Sequence, residues 1–450
     1  MIAFKKRLKI FSLFNIDINV VLSLLNSLWS IAKTPLALIL ITTKLSSTEQ
    51  GYWYTFLSLG ALSVFAEMGF TTIVTQFLSY EFAHLELDSS NMIVGSQDNI
   101  NKFTSLIKYT IRKYLKIIPL GIGFILIIGF LFFRKDLYYG DVLYCWLLYA
   151  FAGGTTLFLS LLTSIIRGIN KVKDALQITF VINLLNTATL CLCLFLGLGL
   201  WSLCISAFIT FLASLIIIYY RFKFFFIQIL KYKVKGVFDW KKEINSLQTK
   251  YSISWIAGYF IFSFIVPVTM YFLGPIQAGK VGITISLGAA ILQMAHSWVA
   301  NKMPELNMAI SVGKEVEAKN IFFINNRSSL IFFLFASIVV ITSFYFDIFS
   351  IFGFKGFVTK FISIYGIIAV LVAEFFKLLL GNWAVFLRAY KQEPYLKITL
   401  INAFSTILVF CLFMGIYKSL FYSLLLFAFI QILSAILGRK IFTQKFNECY

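Results

Sequence analysis

The apolar positions of this 450-residue chain come in long unbroken runs, not in the alternation of a half-buried strand or the narrow stripe of a soluble helix. Twelve runs cover about 17–42, 52–76, 114–133, 142–166, 175–198, 200–220, 251–273, 278–300, 328–352, 358–386, 395–416 and 418–438. At about 1.5 Å per residue, such lengths carry a helix across a hydrocarbon core about 30 Å thick. Backbone amides in lipid have no water to bond, so helices are the expected form. The pattern predicts an all-α integral membrane protein with twelve transmembrane helices. Only the GLGL of 197–200 separates the fifth run from the sixth. Pro35, Pro119 and Pro267 fall inside runs and permit kinks or broken helices.

Two polar intervals are long, about 77–113 and about 221–250. The second mixes Phe and Ile with Lys, as a surface-lying amphipathic helix does. It divides the chain into a six-helix bundle at 1–220, a linker at 221–250 and a second six-helix bundle at 251–450. The halves carry an internal repeat. GYWYTFLSLGA at 51–61 returns as GKVGITISLGA at 279–289, 228 positions later. A second echo links RGINKVKDALQIT at 167–179 with RAYKQEPYLKIT at 388–399, displaced by 220 to 221 positions. Six is even, so both halves enter the membrane in the same direction. The repeats are then parallel, related by an axis along the membrane normal, an arrangement that transporters use. Gly60 and Gly288, inside the shared Ser-Leu-Gly-Ala, are expected to let helices approach closely.

Charge sets the orientation. With the N-terminus in the cytoplasm, thirty of the 39 Lys and Arg fall on the cytoplasmic side and seven on the outer side. That asymmetry places both termini in the cytoplasm. The formal charge of +20 then reflects insertion and attraction to anionic lipid, with no nucleic-acid partner required. The start, with Lys5, Lys6, Arg7 and Lys9, looks like a signal-peptide n-region. No small-residue cleavage site follows, so the first run is expected as a retained helix. Composition agrees: 13% of residues are charged, against about 25% in soluble domains. The six cysteines form no CxxC and mostly lie in apolar runs, where small apolar filler is the simple reading. His84 and His296 are too few and too far apart for a zinc site.

An ionised side chain at mid-bilayer costs roughly 2.5–3.5 kcal/mol on insertion scales, so such residues are usually functional or paired. Lys33, Glu67, Glu374 and Lys377 qualify. Lys33 has no acidic neighbour on its own helix and lies too deep to snorkel easily; it fits a cation facing a central cavity that receives an anionic head group. Glu67 suits either an ion pair with Lys33 or proton loading, since burial raises a carboxylate pKa. Glu374 and Lys377, three apart, share a helix face and suit a salt bridge with each other; either way they mark the tenth helix as cavity-lining. His296 is either a proton site or a satisfied polar residue. No Walker A loop, Ser-His-Asp set or metal cluster can be assembled, so no cofactor is expected.

The stretch LSSTEQGYWYTFLSLGALSVFAEMGFTTIVTQFLS at 45–79 resembles the second-helix region of the bacterial polysaccharide flippases of the O-antigen flippase (Wzx) type. The matching positions are Glu49, Gly51 and Trp53, then Glu67, Met68 and Gly69. IIRGINKVKDA at 165–175 is similar to that family's loop between helices 4 and 5. The resemblance places the chain in the multidrug/oligosaccharidyl-lipid/polysaccharide exporter superfamily and covers essentially its whole length. It implies a flippase, not an enzyme, in a bacterial inner membrane. The implied cargo is an undecaprenyl-diphosphate-linked sugar repeat unit, moved by alternating access with possible proton coupling. A polysaccharide polymerase and a chain-length regulator are the implied partners. By that resemblance Lys33 and Lys377 line a cationic cavity, and Arg167 and Arg388 complete the diphosphate site at the inner mouth. The alternatives are a small-molecule antiporter of the same architecture and a membrane glycosyltransferase such as an O-antigen polymerase. The latter tends to carry a large outer loop, which this sequence does not show.

Overall fold

The computed structural model describes residues 18–133, 140–236, 238–311, 313–351, 353, 356–390 and 395–448. The basic start of the chain therefore lies outside the described residues. The first half comprises α1 (Ile18–Lys44), a second membrane segment in three pieces, α2 (Ser47–Gly60), α3 (Ser63–Glu67) and α4 (Phe70–Phe82), then α5 (Gln97–Phe133), α6 (Gly140–Gly168), α7 (Val172–Phe195) and α8 (Trp201–Lys231). A small antiparallel hairpin, β1 (Leu85–Leu87) with β2 (Ile93–Gly95), joins α4 to α5. The second half comprises α9 (Trp240–Phe262), α10 (Ile265–Leu273), α11 (Pro275–Ala300), α12 (Met303–Ser311), α13 (Glu315–Tyr345), α14 (Ile348–Ile351), α15 (Ile364–Ala389), α16 (Leu396–Gly415) and α17 (Leu420–Glu448). Among the described residues nine helices are long and apolar enough to cross a membrane, or up to eleven if each of two bent pairs is one span. The bent pairs are α2–α3 with α4, at 45°, and the end of α9 with α10, at 47°. The 27-residue helix α1 lies outside that count.

The two long polar intervals are mostly helix. From the first, α4 runs on to Phe82 and α5 begins at Gln97. From the second, α8 continues to Lys231 and α9 starts at Trp240, so among the described residues no separate helix lies between them. The reason lies in the spacing of its aromatic positions. Phe222, Phe225 and Ile229, at helical intervals, are fully buried in one cluster with Phe103, Leu106 and Ile107 of α5. The amphipathic face is covered by protein. Polar groups fix it there: Trp240 Nε1 donates to Ser105 Oγ at 2.9 Å, and Lys108 Nζ donates to the Tyr232 carbonyl at 2.5 Å. The Gln228 side chain accepts from Ile93 N at 2.7 Å and donates to Ile93 O at 3.0 Å, satisfying the hairpin edge.

The core shows how the halves are joined. One apolar cluster takes in residues of both, including Leu38, Phe56 and Trp146 from the first and Val281, Val370 and Phe427 from the second. At the other end the core splits. Phe70, Tyr114, Ile165 and Phe225 belong to a cluster made by the first half, capped by Trp240. Val299, Phe322, Phe386 and Phe442 belong to one made only by the second. The molecule is therefore closed where α2 and α11 begin and divided where they end.

The repeated stretches make the closure. Among the described residues, α2 and α11 share the most extensive helix–helix contact. A Cβ on Gly279 would lie 2.8 Å from Gly51 N and 3.0 Å from Ser47 O, and one on Gly51 would strike the Pro275 backbone. Tyr54 packs where Gly282, its counterpart in the repeat, has no side chain. The contact is self-complementary, as an interface about a two-fold axis must be. The start of α2 is fixed by a capping box: Glu49 N donates to Ser46 Oγ at 3.2 Å and Ser46 N to Glu49 Oε2 at 2.9 Å. Glu49 of the family-like motif thus has a structural role.

Gly279→Val should destabilise the detergent-solubilised protein by about 1–3 kcal/mol through overpacking at this seam. Gly123→Ala, where a Cβ meets nothing within 4 Å, should be neutral. Equal thermal midpoints for the two variants would contradict the glycine seam.

Candidate functional site

The second membrane segment breaks where it carries its acid. α3 ends at Glu67, and the next two residues take left-handed backbone, Met68 at φ 50° and Gly69 at φ 71°. Glycine adopts this freely; for Met68, with a Cβ, the conformation costs roughly 1–2 kcal/mol. α4 restarts at Phe70 with no side-chain cap from Gly69. The Glu67 carboxylate instead accepts from the Thr71 hydroxyl in the first turn of α4. Unsatisfied N–H groups there favour negative charge. Tyr114 of α5 is an electrostatic neighbour of Glu67, and its buried hydroxyl has no partner among the described residues. Glu67 therefore bridges a helix break and is not paired with Lys33. Discontinuous helices of this kind form polar sites at mid-membrane in transporters.

Lys33 stands half-buried on α1 and lines a cavity of about 210 Å³ with Thr34, Trp53, Tyr54, Asn186, Thr187 and Ser286. Its ammonium donates to Asn183 Oδ1 at 3.5 Å, a neutral partner. None of the ion pairs among the described residues includes it. The cavity spans the seam: α1, α2 and α7 come from the first half, and Ser286 from the second. Ser286 is the serine of the second Ser-Leu-Gly-Ala, so the repeat supplies a cavity wall as well as packing.

In the second half the charges answer each other. Lys377 Nζ lies 2.5 Å from Glu374 Oε1, with side-chain exposures of 8% and 2%. Burial this deep requires the pair to be closed. The ammonium also stands over the rings of Phe262 and Phe427, at 4.8 and 5.8 Å. Glu374 sits against Gly288, where a Cβ would lie 3.0 Å from its Cγ. The corresponding Gly60 faces the Tyr149 ring at 2.9 Å. Both glycines allow the close approach expected of them, but one admits an aromatic ring and the other a carboxylate.

His296 belongs to a polar chain across three helices. Its Nδ1 is 2.8 Å from Asn382 Oδ1, and the Asn382 amide donates to Asn326 Oδ1 at 2.9 Å and Ser329 Oγ at 3.1 Å. Asn402 and Gln431 exchange two hydrogen bonds nearby in sequence, at 2.8 and 2.9 Å. Arg167 and Arg388 are exposed in the last turns of α6 and α15, where a cation suits the helix dipole. Neither lines the Lys33 cavity. Asn183, Ser286 and Asn382 were not marked by their sequence surroundings; polar residues inside apolar runs are the only signal that singles them out. No group of three or more His, Cys, Asp or Glu among the described residues could hold a metal ion.

This two-lobed arrangement has solved counterparts. The chain is similar to an inward-facing multidrug resistance MATE family transporter of the MOP superfamily, with TM-score 0.62, 12% identity and 98% of each chain covered. It is also similar to the lipid II flippase MurJ in an inward closed conformation, with TM-score 0.65, 13% identity, and 95% of this chain and 87% of that one covered. A Pyrococcus furiosus MOP superfamily transporter, described by the reverse polarity of its binding pocket, matches with TM-score 0.53, 12% identity, and 96% and 94% covered. No protein-family model matches the chain, and no curated protein matches it in sequence. The fold is that of these multi-pass membrane transporters, and at such identities the likeness is one of fold.

Removing one member of the buried pair should destabilise more than removing both. Glu374→Gln or Lys377→Met alone should cost about 3–5 kcal/mol by stranding a charge, and the double variant should recover most of it. Thermal melts showing additive losses would contradict a closed pair.

Proposed function

We propose that the protein is a flippase for an undecaprenyl-diphosphate-linked oligosaccharide, such as an O-antigen or other surface-polysaccharide repeat unit, in a bacterial inner membrane. The observation that carries this reading is Lys33, a half-buried cation in a cavity at the seam whose one hydrogen-bond partner among the described residues is Asn183. A cation left with a neutral partner favours an incoming anion, and a diphosphate supplies one. Lys377 is engaged by Glu374 and would join only if that pair opened. Arg167 and Arg388, in the last turns of α6 and α15, would guide the head group at the cytoplasmic mouth.

Twelve spans with both termini cytoplasmic fit this reading, with α1 as the first and each bent pair as one. In that orientation the divided core lies on the cytoplasmic side, so the molecule is poised to admit cargo from within. The halves would rock about the glycine seam, and the break at Met68–Gly69 would take up the change in direction. Glu67, held by Thr71 across the break, is the first candidate for proton coupling; Glu374 and His296 follow. A polymerase and a chain-length regulator would act on the product outside.

A small-molecule antiporter is the second reading, since a multidrug transporter shares the fold. The small cavity, about 210 Å³, favours it over a large glycan, while the sign of the Lys33 charge favours the flippase over a cationic drug.

Lys33→Ala should reduce surface polysaccharide at least about tenfold while the protein stays inserted at normal abundance, and Lys33→Arg should retain much of the activity. Wild-type polysaccharide from Lys33→Ala, or a loss of drug resistance without any loss of polysaccharide, would overturn the flippase assignment.

A further inference from the structure

Beside the helix break, the surface is concave. Phe65 and Ala66 of α3 and Ile117, Leu120, Gly121 and Phe124 of α5 line a groove of about 330 Å³. All six are apolar, and Leu120 and Phe124 are 74% and 46% exposed. Gly121 makes the floor: a Cβ there would lie 2.9 Å from the Ala66 Cβ. The neighbouring carboxylate of Glu67 is engaged by Thr71.

The groove follows one face of α5, and that face changes character at one end. Positions 113, 117, 120, 121 and 124 share it by helical spacing. Lys113 therefore stands one turn below the apolar lining. Lys116, on the same turn, is exposed, and Lys241 of α9 is an electrostatic neighbour of Lys113. Lys113 reaches Gln248 Oε1 at 2.7 Å, a neutral partner, and lies over the Phe70 ring at 4.2 Å. From Lys113 to Phe124 is about 16 Å of helix axis at 1.5 Å per residue. A single leaflet of a hydrocarbon core about 30 Å thick has nearly that depth.

We propose that this groove is a specific site for an anionic phospholipid, with its phosphate at Lys113, Lys116 and Lys241 and one acyl chain along α5. The charges select an anionic head, the lining selects hydrocarbon, and the length matches a lipid of the leaflet on the Lys113 side. The site has a mechanical connection. Phe65 packs edge to face on Tyr259 and Phe260 of α9, at 5.3 and 6.0 Å. A chain in the groove thus presses on the short segment that links the broken helix to the opposite half. The lipid is a ligand of this conformation, whatever cargo the central cavity takes.

The test uses the full-length protein and native mass spectrometry with phosphatidylglycerol and phosphatidylcholine as probes. Wild-type protein should retain one phosphatidylglycerol in preference to phosphatidylcholine. Lys113→Gln/Lys116→Gln should weaken phosphatidylglycerol roughly thirtyfold, the combined effect of two basic side chains near an anionic phosphate. Leu120→Trp, which fills an exposed position of the groove, should lower retention of both lipids without changing the thermal midpoint in lipid-free detergent. Equal retention of the two lipids by the wild type, or unchanged phosphatidylglycerol binding in both variants, would overturn the proposal. Lys33→Ala should leave lipid retention intact, so loss of transport and loss of the lipid site are separately visible.

Discussion

The backbones of α2 and α11 meet almost without side chains between them, and the architecture depends on that contact. Gly51 and Gly279 bring two copies of one stretch to the two-fold axis, where each residue faces its counterpart or a near neighbour. In a membrane, lipid tails are as apolar as leucine, so helices associate through close packing rather than through escape from water. The shared apolar core and the cavity beside Lys33 are built around this place. Away from it the core divides into separate clusters, with Trp240 and Ile244 of α9 packed on the first.

The two halves use the common scaffold for opposite electrostatic ends. In the second, a carboxylate and an ammonium neutralise each other under Gly288, and polar chains through Asn382 and through Asn402–Gln431 are closed among themselves. In the first, among the described residues, Lys33 is hydrogen-bonded to an amide oxygen and Glu67 to a hydroxyl. The satisfied half resembles a rigid partner. The charges of the first half meet neutral partners instead of each other.

Much of this was legible in the sequence, because lipid enforces a simple code. Most of the apolar runs from 114–133 onward reappear as helices, with 251–273 broken into the bent pair of α9 and α10, and the repeat at 51–61 and 279–289 marked the seam, though not as a contact between its own two copies. The three-residue spacing of Glu374 and Lys377 indicated their pairing, since it describes one helix face. Other features lay beyond local pattern. Glu67-Met68-Gly69 sits inside an apolar run that reads as continuous helix, and only tertiary packing holds Met68 at positive φ. The intervals 77–113 and 221–250 read as polar stretches between spans, the second as a surface-lying amphipathic helix, yet membrane helices can extend past the bilayer when protein covers their apolar face. Partners such as Asn183 for Lys33 are set by how helices cross, which no spacing along one helix encodes.

The five-residue α3 has a consequence for the order in which the molecule loosens. A helix so short does not persist on its own, because nucleation alone outweighs its few hydrogen bonds. Its order is borrowed from the ring contacts of Phe65 and the wall of α5. Amide protons there should exchange far ahead of those in the long helices on either side, making the centre of the membrane, not its rim, the first part of the second segment to open.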